Sequence, residues 1–337
     1  MSLPVSRRKS PTKTVLAYDL GGTKVEVGAV TARGKILTAH REPALFKQGK
    51  KAVLDQLVRL GQEIIAAHPH IEAVGIASAG PLDPSRGLLL DPTNFRGPDG
   101  PWGVTPITQI LSRRLKLPVS LENDAAAALL AEHWQGAAKG VQNAAILTLG
   151  TGLGTAFLAN GALVRAGRNL HTEAGHLILR AGDRTARCGC GNLGCAEAYL
   201  SGNGFARWVA KHPLFKNPKT SRSIRNPLSA LEITERARAG ERWAERAFEE
   251  MAELLAIFIH NIAVTFCPER VILTGSFAQA SDLFLERTRT QLEKLLARRR
   301  EGLDLLPTLG LSPLANHAGL LGGAFIALQN AERKKSR

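Results

Sequence analysis

The sequence predicts an α/β protein with two lobes, each organised around its own sheet. Short apolar segments typical of buried strands alternate with longer segments whose apolar residues recur at helical spacing. A strand–turn–strand pattern at residues 15–30 restarts at residues 144–159. The chain has 337 residues, which exceeds what one hydrophobic core usually organises. Repetition and length together predict two related halves.

Each lobe can be followed element by element. The first lobe is predicted to contain strands at 15–18, 25–30, 73–77 and 119–121 and a helix at 50–67. The second lobe is predicted to contain strands at 144–149, 156–159 and 271–273 and a long helix at 241–265. A last helix at about 319–330 is expected to pack back on the first lobe. We therefore predict a disordered basic tail at 1–13, a small lobe at 14–124 completed by a C-terminal helix at about 316–330, and a large lobe at 125–315 that carries a cysteine-rich loop.

The chain is strongly basic. It has 44 Lys and Arg against 29 Asp and Glu, a formal net charge of +15. Such a balance can indicate nucleic acid, an anionic membrane or anionic small substrates as partners. Much of the charge lies in clusters at 7–9, 298–300 and 333–335, with no aromatic residues interleaved. We interpret these clusters as solvated tails and helix ends, so nucleic acid is not an expected partner.

Export and membrane insertion are not predicted either. No apolar segment follows the basic N-terminal residues before Thr14, which argues against a secretory signal. The most apolar long stretch, residues 251–267, contains Glu253, His260 and Asn261, which suits a buried helix better than a membrane span. We expect a cytoplasmic protein without a membrane partner.

Two glycine-rich turns join strands in the two halves. The first contains Asp19, Gly21, Gly22, Thr23 and Lys24. It lies between two strands and lacks Walker spacing, so it is not a P-loop. Its glycines would let the backbone approach phosphates, and Asp19 could hold Mg²⁺ through water. A plain hairpin turn is the alternative.

The second turn contains Gly150, Thr151, Gly152 and Gly154. One such loop is weak evidence, but two in corresponding places of two α/β lobes can grip a nucleotide such as ATP from both sides of a cleft. That arrangement is similar to the actin-like ATPase fold, the hexokinase and Hsp70 type with ribonuclease H-like lobes. The pairing of the two turns favours phosphate binding over plain turns.

Two further segments carry reactive side chains. Asn123 and Asp124 lie at a strand end before a helix, where a carboxylate can accept a hydroxyl proton and an amide can orient the hydroxyl; an ordinary helix N-cap is the alternative. His176, Cys188, Cys190 and Cys195 form a closed set of soft donors that suits structural Zn²⁺ better than free cysteines. Glycines at 189, 191 and 194 would let this loop wrap around the ion. Cys267, between Phe266 and Pro268, is predicted to be a core residue.

Together these residues resemble the ROK family of sugar kinases and repressors. The shared motifs are the Asp-x-Gly-Gly-Thr-Lys turn, Glu-Asn-Asp-Ala at 122–125, Glu-x-Gly-His at 173–176 and the cysteine loop at 188–197, in the family's order. The resemblance runs from Val15 to about Leu328. It implies a two-lobed kinase that uses ATP and Mg²⁺, with a structural Zn²⁺ and a homodimeric or homotetrameric assembly.

The resemblance also implies roles for single residues. Asp124 would be the base, and the sugar hydroxyls would contact Asn94, Asn123, Glu173, His176 and Glu197. His176 would bind zinc with one ring nitrogen and sugar with the other. Gly275 and Ser276 would lie near the adenosine.

Hexose phosphorylation is the expected activity, with glucose as the first choice of sugar. The stretch at 197–205 also resembles N-acetylglucosamine kinases and fructokinases, so N-acetylglucosamine, N-acetylmannosamine and fructose stay open. A sugar-sensing transcriptional regulator of the same family is the alternative of another class. Such regulators carry a DNA-binding domain before the first glycine turn, and only 18 residues precede Asp19. We therefore expect a kinase.

Overall fold

The computed structural model describes residues 13–92, 94–98, 100–165, 167, 170–215, 228–297 and 304–335. The predicted tail, apart from Lys13, and the basic cluster at 298–300 lie outside these residues. The chain divides into two compact units: Met1–Ala131 with Gly167–Leu170 and His317–Arg337, and Glu132–Ala166 with His171–Asn316.

The first unit begins with a strand hairpin and ends with the C-terminal helix. Its elements are β1 (Thr14–Leu20), β2 (Lys24–Thr31), β3 (Ile36–Pro43), α1 (Lys50–Ala67), β4 (Ile71–Ser78), β5 (Leu82–Asp83), β6 (Leu88–Leu90), β7 (Arg96–Gly97), β8 (Gly100–Pro101), β9 (Val104–Thr105), α2 (Ile107–Leu115), β10 (Val119–Asn123), and α3 (Asp124–Gln135), which runs past the unit boundary. The second unit contributes β11 (Ala144–Leu149), β12 (Leu153–Ala159), β13 (Ala162–Leu163), α4 (Ala196–Leu200), α5 (Gly202–Lys211), α6 (Ala230–Arg238), α7 (Arg242–Phe266), β14 (Arg270–Thr274), α8 (Leu285–Leu296) and β15 (Thr308–Leu311). The first unit then closes with α9 (Ala318–Lys335).

Each unit contains a five-stranded mixed sheet, and the strands are connected in the same order in both sheets. The strand order is β10-β4-β1-β2-β3 in the first unit and β15-β14-β11-β12-β13, read in the same direction, in the second. In each sheet the central strand pairs antiparallel with its hairpin partner and parallel with the strand that follows the crossover. The predicted α/β class with a repeated strand pattern is confirmed.

Helix α9 lies directly on the first sheet. It packs against β1 and β4, and glycines at the crossing remove the side chains that would hold the two backbones apart. A Cβ on Gly75 would lie 1.9 Å from the carbonyl oxygen of Gly323, and a Cβ on Gly323 would lie 3.0 Å from the oxygen of Tyr18. The helix position is therefore fixed by backbone contact.

The long helix α7 forms the centre of the second core. Its buried positions recur at helical spacing and include Phe248, Met251, Leu255 and Ile259, in agreement with the predicted helix at 241–265. The helix ends at Cys267, which adopts a left-handed conformation with φ of 46°. Cys267 is exposed there, so the prediction that it is a core residue was wrong. No helix among the described residues is both long and apolar enough to cross a bilayer.

Candidate active site and metal centre

The first glycine turn connects β1 to β2 as a tight hairpin. Gly21 donates its backbone N–H to the carbonyl of Lys24 at 3.1 Å. The loop that carries Asn94 approaches this turn closely, because a Cβ on Gly22 would lie 3.2 Å from the Cβ of Asn94. The exposed Asn94 side chain and the exposed Thr23 therefore lie at one end of the first sheet.

Two carboxylates meet at the same end of this sheet. Asp19 closes β1 and Asp124 begins α3 directly after β10, and the parallel strands β1, β4 and β10 all end here. The pKa of Asp19 is raised to about 6, chiefly by burial and next by the charge of Asp124, while Lys24 acts in the opposite direction. The two carboxylates at this end of the sheet therefore lie within electrostatic reach of each other.

The N-terminus of α9 lies against Asp19. A Cβ on Gly319 would be 2.5 Å from Cγ of Asp19, so only glycine leaves room for the carboxylate. A helix N-terminus also favours a negative charge. The sequence contained one signal of this contact, a glycine in the first turn of a predicted helix, but nothing in it identified Asp19 as the partner.

An ion pair between buried Glu26 and exposed Arg41 supports the same region. Glu26 on β2 is only 2% exposed, and its carboxylate accepts a bond from Arg41 Nη2 at 2.6 Å. Its other oxygen lies 3.5 Å from Nδ1 of His317, just before α9. Glu26 and Arg41 also act on the pKa of Asp19, in opposite directions. Sequence reasoning missed all three residues.

Changing Gly319 to Ala tests whether the position of Asp19 matters. The higher helix propensity of alanine, worth about 1 kcal/mol, is opposed by an overpacking cost of about 1–3 kcal/mol, so the thermal midpoint should stay level or fall slightly. The new methyl group should displace the Asp19 carboxylate and lower kcat/KM of the hexose phosphorylation that the sequence predicts by about 10–100-fold. Steady-state kinetics and a melting curve measure both effects.

Gly310→Ala is the matched control, because a Cβ at that position meets nothing within 4 Å. It should leave kinetics unchanged. Equal activity of the two variants would show that Asp19 needs no defined position.

Asn123 holds Asp124 in place. Its Oδ1 accepts from the backbone N–H groups of Ala125 and Ala126 at 3.1 and 3.2 Å, the geometry of a helix N-cap. Its Nδ2 donates to Oδ1 of Asp124 at 3.0 Å, and the N–H of Ala125 donates to the same oxygen at 2.8 Å. Asn123 therefore caps α3, the alternative that the sequence left open, and also orients the neighbouring carboxylate. The expected contact of its amide with a substrate hydroxyl stays a prediction.

The second glycine turn is approached by two glycines from distant parts of the chain. Gly202, at the start of α5, donates its N–H to the carbonyl of Gly150 at 2.8 Å. Gly275 has a φ of 96°, and a Cβ there would lie 2.4 Å from the oxygen of Leu149. The structure therefore brings Gly275 and the following Ser276 beside the turn.

Glu197 links this turn to the cysteine loop. Its Oε2 accepts the backbone N–H of Leu153 at 3.2 Å, and its Oε1 lies 3.3 Å from Sγ of Cys188. A Cβ on Gly152 would lie 2.8 Å from Oε2. The carboxylate thus connects two motifs that the sequence analysis treated separately.

Glu173 lies between two histidines. His171, which is buried, approaches Oε1 of Glu173 through Nε2 at 2.8 Å, and Nε2 of His176 lies 4.0 Å from Oε2. Burial raises the pKa of Glu173, but the bond to His171 and the two histidine charges lower it by more, so the net shift is downward. His171 was not among the predicted site residues; its spacing of two from Glu173 in an extended segment was the available signal.

Four donors converge beside Glu197. The donor atoms of His176, Cys188, Cys190 and Cys195 all lie within 4.8 Å of one another. Nδ1 of His176 is 3.5 Å from Sγ of Cys188, and the Sγ atoms of Cys190 and Cys195 are 3.7 Å apart. A tetrahedral ion with bonds of about 2.0–2.3 Å separates its ligands by about 3.3–3.8 Å, so these donors fit Zn²⁺.

The loop is shaped for this convergence. Gly191 and Gly194 have φ of 96° and 78°, and a Cβ on Gly194 would lie 1.7 Å from the carbonyl oxygen of Arg180. Tyr199 donates to Asp183 at 2.8 Å, which ties the loop to α4. Glycine is favoured at 191 by its positive φ alone and at 194 by both its positive φ and the close Arg180 carbonyl. At 189 a Cβ would meet only Glu197, at 3.8 Å.

Thiol ionisation would accompany metal binding. Burial raises the pKa of the Cys188 thiol well above its ordinary value and also raises the pKa of the Cys195 thiol. A metal must therefore displace their protons, and affinity should fall as pH falls. Nδ1 of His176 faces the thiols, which leaves Nε2 directed to Glu173.

Comparison with known proteins agrees with this geometry. A model of the ROK family matches residues 15–330. The glucokinase of Thermotoga maritima is 31% identical, over 94% of this chain and 98% of its own length. The N-acetyl-D-glucosamine kinase of Citrobacter koseri is 29% identical, over 92% of this chain and 98% of its own length. The crystal structure of a ROK family glucokinase from Streptomyces griseus in complex with glucose and AMPPNP is 28% identical, with a TM-score of 0.76, over 94% of this chain and 99% of that one. The chain belongs to the ROK family.

Proposed function

We propose that the protein is an ATP-dependent hexose kinase whose preferred acceptor is glucose. One observation supports it above the others: the Asp124 carboxylate is held by Asn123 and the Ala125 N–H at the end of the first sheet, 2.8–3.0 Å from each donor. A fixed carboxylate beside a second one, Asp19, suits a base that works next to a cation and phosphates. The similarity to curated sugar kinases at 29–31% identity gives independent support.

The chemistry follows from these groups. Asp124 takes the proton of a sugar hydroxyl as that oxygen bonds to the γ-phosphorus of ATP. The bond between this phosphorus and the β,γ-bridging oxygen breaks, and ADP leaves with the electron pair. Asp19 offers a carboxylate for Mg²⁺, which when bound neutralises the phosphates. We assign the phosphates to the two glycine turns and the adenosine to Gly275 and Ser276.

Sugar recognition is assigned to Asn94, Asn123, Glu173, His176 and Glu197. In this proposal Zn²⁺ is structural, because four protein donors fill its tetrahedral positions. Holding Nδ1 of His176 fixes the ring and the direction of Nε2, the atom that would meet a sugar hydroxyl. We further propose that the enzyme works in the cytoplasm as a homodimer or homotetramer.

Release of ADP measured with a panel of sugars tests the proposal. We expect the highest kcat/KM with glucose among glucose, mannose, fructose, N-acetylglucosamine and N-acetylmannosamine. N-acetylglucosamine is the second candidate, since a curated N-acetyl-D-glucosamine kinase is nearly as similar as the glucokinase. Absence of turnover with every sugar, together with saturable sugar binding, would favour a sensing role over catalysis.

A further inference from the structure

A basic concavity lies beside the cysteine loop in the second unit. It encloses about 170 Å³ and is lined by Thr185, Arg187, Cys188, Gly189, Arg207 and Lys211. Its three cations come from two parts of the chain: Arg187 immediately precedes the cysteine loop, and Arg207 and Lys211 lie on helix α5. No carboxylate is among these described lining residues, so the positive charge of the concavity is not balanced within it.

The three cations also lack described partners elsewhere. Within the described part of the chain, no carboxylate forms an ion pair with Arg187, Arg207 or Lys211. Other arginines of the same unit do so, as Arg238 with Asp282 at 2.7 Å and Arg287 with Glu249 at 3.0 Å. The contrast distinguishes the basic concavity from the mixed-charge surface around it.

The sequence around helix α5 also has an excess of positive charge. Residues 198–231 contain six Lys and Arg and no Asp or Glu. Arg207 and Lys211 are four residues apart on α5, a spacing at which like charges repel. The negative C-terminal end of α5 accounts for Lys211 but not for Arg187, which immediately precedes the cysteine loop. A bound anion would relieve the repulsion among all three.

We propose that the basic concavity binds a small phosphate-bearing anion of the soluble phosphate monoester class. Two guanidinium groups can each offer paired N–H donors to phosphate oxygens, and Lys211 adds a point charge. A volume of about 170 Å³ lies below the roughly 300–1,000 Å³ of pockets for drug-sized ligands, which favours a phosphoryl group with a short organic part over a nucleotide. Because Cys188 and Gly189 form part of the wall, the ligand would lie against the metal-binding loop.

Calorimetric titration with glycerol 3-phosphate and with inorganic phosphate tests the site without any turnover. Wild type should bind the monoester saturably, and less tightly as salt rises. Arg207→Gln/Lys211→Gln should weaken that binding about tenfold or more. Arg33→Gln/Lys35→Gln removes the same charge from exposed positions on the first unit and should bind like wild type. Melting curves should show a rise in Tm with ligand for wild type and control only.

Four outcomes would overturn the proposal. The first is that the wild-type protein shows no saturable binding of glycerol 3-phosphate, and the second is that both double variants bind it equally weakly. The third is that AMPPNP displaces the monoester. The fourth is that the protein binds inorganic phosphate or random duplex DNA tightly but does not bind the monoester. Displacement by AMPPNP would place the anion at the glycine turns instead. Because the assay needs no sugar, a failure of the kinase proposal would leave this result interpretable.

Discussion

Asp124→Asn should lower kcat by about 10²–10⁴-fold, the range expected when a general base is lost. The amide keeps the shape of the carboxylate but cannot take the hydroxyl proton. Sugar affinity should change little, since Asn123 still caps α3 through Ala125 and Ala126. Coupled ADP release gives kcat, and calorimetry gives the sugar Kd.

Asp55→Asn is the matched control for that change. It removes the same charge from an exposed residue whose partners are Lys51 and Arg114, and exposed ion pairs contribute little to stability. Its kcat should equal that of wild type. If Asp124→Asn keeps more than about a tenth of wild-type turnover, Asp124 is not the base.

Cys190→Ser should remove the metal from the protein. We expect about one Zn²⁺ per chain in wild type and almost none in the variant, because a tetrahedral site loses a thiolate and serine is a poor ligand for soft-donor sites. Sugar affinity should fall about tenfold or more at the same time. The physical reason is that Cys188 contacts Glu197 and His176, both assigned to the sugar.

Elemental analysis of protein purified without added zinc gives the metal content, and calorimetry gives the sugar affinity. Cys267→Ser is the control, since Cys267 is also an exposed cysteine but lies outside the cluster. The Cys267→Ser variant should keep both the bound metal and the sugar affinity of wild type. A metal-free Cys190→Ser protein with wild-type sugar affinity would separate the metal from the sugar site.

Much of the fold was predictable because its signals are local. The apolar spacing of residues 50–67 matches α1, and the glycine turns sit in hairpins as predicted, with β1 ending at Leu20 and β11 at Leu149. The cysteine loop was predictable for the same reason: His176 aside, its donors lie within eight positions of sequence. Because these donors are close in sequence, their spacing alone indicates that their sulfur atoms can bind one ion.

Contacts between distant segments were not predictable from one sequence. Glu26, Arg41 and His317 come from β2, β3 and the turn before α9, and no spacing rule relates them. The bond from the Leu153 N–H to Glu197 likewise depends on how α4 packs. Cys267 was placed in the core because Phe266 and Pro268 flank it, but helix α7 ends there and the residue is exposed.

The C-terminal helix gives this chain an order of assembly. Contact between Gly75 and Gly323 seats α9 on the first sheet, yet α9 is synthesised after the other described elements of both units. The second unit, Glu132–Ala166 with His171–Asn316, has its whole sequence before α9 leaves the ribosome. The α9-binding face of β1 and β4 therefore stays uncovered throughout translation of the second unit. The nascent chain can therefore fold the cysteine loop before the contact between Gly319 and Asp19 forms.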